Sequence, residues 1–298
     1  GGWQADGKGA SIWDTFCHQQ GRVFGDQNGD VSCNSCQLWD QDLACVRQLG
    51  LTHYRLSFSW ARLLPDGSTG TVNPKVLQQG DHDDLLACNV SPMVTLYHFD
   101  LPQALQDQGG WAWPGIAGLF DSYAKFCFHM FGDRVWLWIT INEPQVCAKL
   151  GHEDGLHAPG GKEPGLAAYL VGHNMLRAHA KAWRSYHSLY RAHSPYITEN
   201  GFSQTGPVQT EDEQRAGFYR DTIAEVAKAI KEDGVDVRGY FAWSLMDNFE
   251  WADGYSVRFG LFHVDFADPK LPRTLYRSGR EYAKITSTYK RDQRKEKI

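Results

Sequence analysis

The sequence predicts an α/β fold, a (β/α)8 TIM-barrel derivative that is incomplete, with about five recognisable βα units. Three observations carry this. Short β-branched and aromatic runs alternate with amphipathic helical stretches, the pattern of a parallel sheet covered by helices. Each run ends on polar or aromatic residues (Ser-Trp, His, Asn-Glu, Glu-Asn and Trp-Ser), and carboxyl-terminal strand ends are where a barrel builds its site. A doubly wound sheet would open on a glycine-rich phosphate loop, and the sequence has none.

Residues 1–35, rich in Gly, Asp, Asn and Gln, read as loop. Trp39, Leu43 and Val46 then recur at helical spacing, with Gly50 placed to end the helix. Strands are predicted near 53–59, 92–98, 135–141, 195–199 and 237–243. Arg55 sits between Tyr54 and Leu56 inside the first of these, and a buried Arg requires an anionic partner. A weak helix over Val76 to Cys88 is interrupted by Gly80. Ile116, Phe120, Tyr123, Cys127 and Met130 repeat at alternating four- and three-residue spacing, an amphipathic helix closed by Gly132. A long helix spans roughly Leu166 to Tyr190. The next begins at a capping box, Thr210 with Glu213, and carries Tyr219, Ile223, Val226 and Ile230 on one face up to Gly234. The stretch from Ser278 to Tyr289 reads as a closing helix.

The 298 residues, 42% hydrophobic and 22% charged, are ordinary for a globular chain, but 11 Trp, 13 Tyr and 15 Phe are many. They suit a bulky core or a cleft in which rings stack on a polar ligand. A net charge of −5 without a basic stripe argues against nucleic acid. The one dense basic run, Lys290 to Lys297, reads as a solvated tail. Seven cysteines, an odd number set in apolar segments, suggest reduced thiols and a cytosolic protein. No metal or other cofactor is expected: Cys33-x-x-Cys36 has no second pair, and His152 and His157 stand five apart with Gly155 between them, off one helical face. No apolar run reaches membrane-spanning length, so no membrane partner is expected, and no obligate protein partner is evident. The chain starts Gly1-Gly2-Trp3, which leaves its upstream end open. The sequon Asn89-Val90-Ser91 abuts a predicted buried strand and is expected to stay unused.

Two strands each deliver a Glu at their carboxyl end: Thr140-Ile141-Asn142-Glu143 and Tyr196-Ile197-Thr198-Glu199. That arrangement suits paired-carboxylate chemistry. Taken singly, either Glu would more often be structural, His98 and Trp243 would be core, and Glu250 a solvated loop residue.

Together with Tyr54-Arg55-Leu56-Ser57-Phe58-Ser59-Trp60, Leu96-Tyr97-His98-Phe99-Asp100-Leu101-Pro102 and Trp243-Ser244-Leu245-Met246-Asp247-Asn248-Phe249-Glu250-Trp251, these motifs make a specific set. The chain resembles glycoside hydrolase family 1, the β-glucosidases, most closely the cytosolic members from animals. The resemblance implies a retaining β-glycosidase of carbohydrate metabolism that acts on small-molecule β-glucosides or β-galactosides by double displacement. It implies Glu143 as general acid/base and Glu199 as nucleophile, with Arg55 supporting the nucleophile. Asn142, His98, Glu250 and Trp251 would bind the glycone hydroxyls, and Trp243 would be the stacking floor.

The family pattern has eight strands, and the first, fifth and sixth are missing here. The first should bear a glycone-binding Gln. The other two belong between Glu143 and Glu199, and one of them supplies a Tyr to the nucleophile. The chain is expected to be one glycoside-hydrolase-type domain over 1–298, truncated at the N-terminus and internally deleted near 190–195. The fourth and seventh strands are then expected to pair directly, in a shrunken or open sheet with the long helix as the crossover, or else the chain is not stably folded. The separation of the two carboxyl groups is expected to depart from the roughly 5–5.5 Å of retaining enzymes. The alternative function is a catalytically impaired relative that binds glycans or partners, or an incomplete gene product.

Overall fold

The computed structural model describes residues 2–75, 81–189 and 195–289. The stretch read as loop contains a helix, α1 (Ile12–Cys17), started by a capping box in which Ser11 and Asp14 satisfy each other's backbone N–H groups. α2 (Trp39–Gln48) ends before Gly50, whose φ of +62° is the left-handed conformation that suits glycine. Next come β1 (His53–Ser57), the short α3 (Trp60–Leu63), α4 (Asp81–Ala87) and β2 (Ser91–Tyr97). α5 (Gln103–Gln106), α6 (Ile116–Phe131) and β3 (Leu137–Ile141) follow. α7 (Pro144–Ala148) and the long α8 (Ala167–Leu189) complete the first half.

The second half holds β4 (Tyr196–Asn200), β5 (Gln204–Thr205), α9 (Glu213–Glu232) and β6 (Gly239–Ala242). β7 (Val257–Arg258), β8 (Phe262–Val264), β9 (Arg273–Leu275) and α10 (Arg277–Tyr289) close it. The Val76–Gly80 part of the predicted weak helix, the junction at 190–194 and the basic run from Lys290 lie outside the described residues.

β1, β2 and β3 form a parallel three-stranded sheet, in which Arg55 is level with Met93 and Thr95 with Ile139. β4 and β6 form a separate parallel pair. Among the described residues no ladder joins β3 to β4 or β6 to β1, so the barrel is open at two places. Burial follows from this. β2, flanked on both sides, is buried from Pro92 to Tyr97, whereas β3, β4 and β6 are only partly buried along their whole length.

The expected direct pairing of β3 with β4 is therefore not found among the described residues, which leave the two strands in separate sheets. Between the two strands lies a groove of about 610 Å³, walled on one side by Leu176, His179 and Trp183 of α8. The crossover helix instead spends its inner face, Val171, Met175, Ala178 and Ala182, on the main core beneath it. There α6 contributes Phe120, Tyr123 and Cys127, all fully buried, and Tyr123 stacks on Trp60 with ring centroids 4.5 Å apart. A second core gathers Tyr219 and Ile223 of α9 with Leu261, Phe262, Val264 and Tyr282.

The predicted capping box at Thr210 and Glu213 does not form. Asp212 is the N-cap of α9, but it makes no cap bond, because Ser278 claims its carboxylate through both the backbone N–H (2.8 Å) and the hydroxyl (2.5 Å). A tertiary contact between α9 and α10 has displaced the local one. All seven cysteines are free, and among the described residues no helix is long and apolar enough to cross a membrane.

Candidate active site

The site is assembled around Arg55. The strand period turns this side chain inward from the middle of β1, where it is 7% exposed. Its Nε donates to Thr95 Oγ1 of β2 (3.1 Å), Nη2 to Asn142 Oδ1 (2.8 Å), and Nη1 to the Thr198 carbonyl (3.4 Å) and to Glu199 Oε1. One guanidinium thus bonds side chains from β2, the end of β3 and β4. The anionic partner that a buried Arg requires is Glu199. Oε2 of Glu199 accepts no hydrogen bond from the described residues.

Asn142 follows β3 directly and is anchored by its backbone N–H to the Tyr97 carbonyl (2.9 Å). With Oδ1 committed to Arg55, its Nδ2 donates to His98 Nε2 at 3.1 Å, which assigns the imidazole proton to Nδ1. Burial, reinforced by the Arg55 charge, pushes the His98 pKa down to about 3, so the ring is neutral. It lies 3.9 Å from Glu199 Oε1 and faces two indoles, Trp251 at 5.6 Å and Trp243 at 5.8 Å between centroids.

Glu143 holds a left-handed backbone (φ +34°, ψ +64°) at the start of α7, ahead of Pro144. Its pKa is raised, first by burial and then by the charge of Glu199, with Arg55 opposing. Glu250 rises to about 7, chiefly through burial, with Glu199, Asp253 and Glu143 adding repulsion and a hydrogen bond from the Trp243 side chain working against it. Three carboxyl groups from three distant stretches therefore sense one another in one cleft. Every sequence-predicted residue, namely Arg55, His98, Asn142, Glu143, Glu199, Trp243, Glu250 and Trp251, is brought into this neighbourhood.

Sequence reasoning missed an aromatic wall and a buried anchor. Trp13 packs on Trp251 (4.9 Å) and His157 (5.4 Å), and Phe99 also contacts Trp251 (5.0 Å). Trp13 lay in the stretch read as loop, where the Ser11-x-x-Asp14 cap was its only signal. His157 was half of a metal-like spacing; its ring serves this wall, and among the described residues no cluster of three ligating side chains could hold a metal ion. The anchor is Asp247, fully buried, whose carboxylate accepts from the Gly260 N–H (3.0 Å) and the Tyr276 hydroxyl (2.9 Å) and lies 2.9 Å from His263 Nδ1. It fixes the segment that carries Trp243 and Glu250.

The profile of Glycosyl hydrolase family 1 matches residues 1–194 and 187–291. The cytosolic beta-glucosidase of Cavia porcellus is 38% identical over 440 aligned positions, covering 96% of this chain and 94% of that protein. The human cytosolic beta-glucosidase is 37% identical with the same coverage. An alignment of 440 positions against 298 residues means that these relatives carry segments without a counterpart here. Among solved structures, a family 1 β-glucosidase from Thermotoga maritima superposes with a TM-score of 0.90 at 30% identity, over 97% of this chain and 94% of that one. With the family's motifs, fold and cleft in one chain, the protein belongs to glycosyl hydrolase family 1, the retaining β-glycosidases, as an open and incomplete form of that barrel.

Proposed function

We propose that this chain hydrolyses β-glucosides or β-galactosides by double displacement, with Glu199 as nucleophile and Glu143 as general acid/base. In the first step Glu199 Oε2, the oxygen that Arg55 does not hold, attacks the anomeric carbon. The bond to the leaving oxygen breaks as that oxygen takes the Glu143 proton. In the second step Glu143 accepts a proton from water, the hydroxide oxygen joins the anomeric carbon, and the bond to Glu199 breaks. No cofactor enters the scheme. Asn142, His98, Glu250 and Trp251 hold the glycone hydroxyls, Trp243 gives it a face, and Arg55 supports the nucleophile.

The observation that carries this reading is the asymmetry between the two carboxyl groups. Glu199 is ion-paired to Arg55, while Glu143 is pushed toward its protonated form by burial and by Glu199 itself. The named relatives, cytosolic beta-glucosidases, support a β-glucoside substrate and a cytosolic location. We read the chain as one glycoside-hydrolase-type domain with an internal deletion near 190–195, supported by the two family matches meeting within residues 187–194.

A second reading, a catalytically impaired family member, is favoured by the groove left between β3 and β4. A fluorogenic β-glucoside assay alongside Glu199→Gln separates the two. Turnover abolished by the substitution supports the enzyme. Binding of glucoimidazole, the ligand of a Thermotoga maritima relative, without turnover supports the impaired form.

A further inference from the structure

Strand β4 carries one residue more than its ladder with β6 requires. Tyr196 pairs with Gly239, Ile197 with Tyr240 and Asn200 with Ala242, so Thr198 and Glu199 together stand opposite Phe241 alone. The extra residue decides where Glu199 points. Tyr196 faces the interior, where its ring centroid lies 6.4 Å from that of His53, which shares one face of β1 with Arg55. Three residues on, regular alternation would turn Glu199 away from that face, out toward the helices. Its bond to Arg55 Nη1 shows it turned inward, as a β-bulge permits. Asn200 is turned outward by the same step. Its Oδ1 accepts the Tyr240 hydroxyl at 2.6 Å, and the Tyr240 ring lies 6.4 Å from that of Tyr282 on α10. The Asn200 carbonyl accepts the Trp243 N–H at 2.7 Å. A Cβ on Gly201 would overlap the Trp243 carbonyl oxygen, so the chain leaves the bulge by a path that only glycine fits.

We propose that Tyr240 is a positioning residue for Glu199: through Asn200 its hydroxyl pins the bulge of β4 and keeps the nucleophile carboxyl on the cleft side. This role rests on the reading of Glu199 as nucleophile. A bulge in a parallel pair is uncommon and interrupts the ladder, so it needs a hold from outside the strand. Slipping by one residue into regular register would restore the ladder, but it would put Asn200 in the cleft and Glu199 toward the helices. Arg55 grips Glu199 Oε1 from β1, whereas the Tyr240 hydroxyl fixes the next residue from β6, so the two bonds hold the bulge from opposite faces. β6 runs on directly to Trp243, so the same hydroxyl also sets the nucleophile against the ring that would face the glycone.

The test compares the full chain with Tyr240→Phe, which keeps the ring and removes only the hydroxyl. The Glu143 pKa, raised by burial and then by the Glu199 charge, reads the placement of Glu199 in a ¹³C-carboxyl NMR titration that needs no turnover. The expected result is a Glu143 pKa lowered toward its Glu199→Gln value, with no further change when Tyr240→Phe is added to Glu199→Gln. A merely structural role would move the titration in both backgrounds. On a fluorogenic β-glucoside, kcat should fall on the order of 100-fold with KM nearly unchanged, the cost of a misplaced nucleophile. Asn200→Ala removes the same hydrogen bond from the other side and carries the test should Tyr240→Phe not fold. Turnover that survives Glu199→Gln would sink the nucleophile assignment alone, since the titration still decides the placement. Three results would overturn the role of Tyr240: a Glu143 titration like that of wild type in the folded variant, a shift that persists beside Glu199→Gln, or an unchanged kcat in an active chain.

Discussion

Arg55→Met removes the guanidinium paired with Glu199 and leaves that carboxylate, 21% exposed, without its opposite charge. Breaking one partner of a buried ion pair costs about 3–5 kcal/mol, against a total stability of about 5–15 kcal/mol for a typical domain. The hydrogen bonds to Thr95 and Asn142 go too, at about 1 kcal/mol each. Glu199→Gln alone should also destabilise, because it strands the guanidinium. The double variant removes both charges, so its loss should be about 1–2 kcal/mol, below that of either single change. Urea unfolding of the four proteins at pH 7 measures the cycle, and since the pair is largely buried, moderate salt should leave the coupling intact. If Arg55→Met lies within 1 kcal/mol of wild type, or the two substitutions simply add, the guanidinium is not what holds this cleft together.

Three further outcomes follow from the same geometry. Glu250, raised to about 7 in the folded chain against an ordinary 4.5, makes the folded state bind more protons between those values. Stability should therefore fall as pH rises from 4.5 to 7, by about 3 kcal/mol relative to Glu250→Gln in urea melts across that window. Neutralising Glu199 as Glu199→Gln should lower the Glu143 pKa, read by ¹³C-carboxyl NMR titration, but burial, the larger cause, should keep it above the ordinary value. A Cβ on Gly260 would stand 2.2 Å from the Asp247 nitrogen and 2.4 Å from the Phe262 carbonyl oxygen. Both are backbone atoms that cannot step aside, so Gly260→Ala should cost about 3 kcal/mol or more in thermal unfolding.

The sequence was most legible where one residue type answers one local demand. Arg55 between two bulky neighbours announced a buried cation, and the strand-end Glu143 and Glu199 announced the paired carboxyl groups of the proposed chemistry. Helix α6 followed from its spacing alone, because the stripe that repeats in sequence is the stripe that is buried. What stayed hidden depends on long-range contact. Thr210 and Glu213 satisfy a local capping rule, yet Ser278, far along the chain, takes the Asp212 carboxylate that would stand at the cap. Asp247 sits in plain view inside a recognised motif, but its role exists only because Gly260, His263 and Tyr276 converge on it. The aromatic wall of Trp13 and His157 had no periodic signal, since Trp13 comes from a six-residue helix too short to repeat and His157 from an irregular stretch.

The open barrel raises the question of what replaces the missing ladders. Among the described residues backbone pairing stops at β3 and β6, so the three-stranded sheet and the β4–β6 pair meet without a backbone ladder, through contacts made by side chains. Lower in the interior, His53 packs between Tyr196 at 6.4 Å and Phe241 at 6.3 Å. Higher up, Arg55 reaches from β1 to the Thr198 carbonyl and Glu199 on β4, and His98 reaches toward Trp243. Aromatic packing is tolerant of small shifts, whereas an ion pair braced by two further hydrogen bonds fixes distance and angle together. The register of one sheet against the other is therefore set chiefly by Arg55. In a closed barrel that guanidinium would be one contact among many ladders; here it holds Glu199, the proposed nucleophile, and also stands in for backbone pairing, so a change that frees Glu199 must disturb the fold as well.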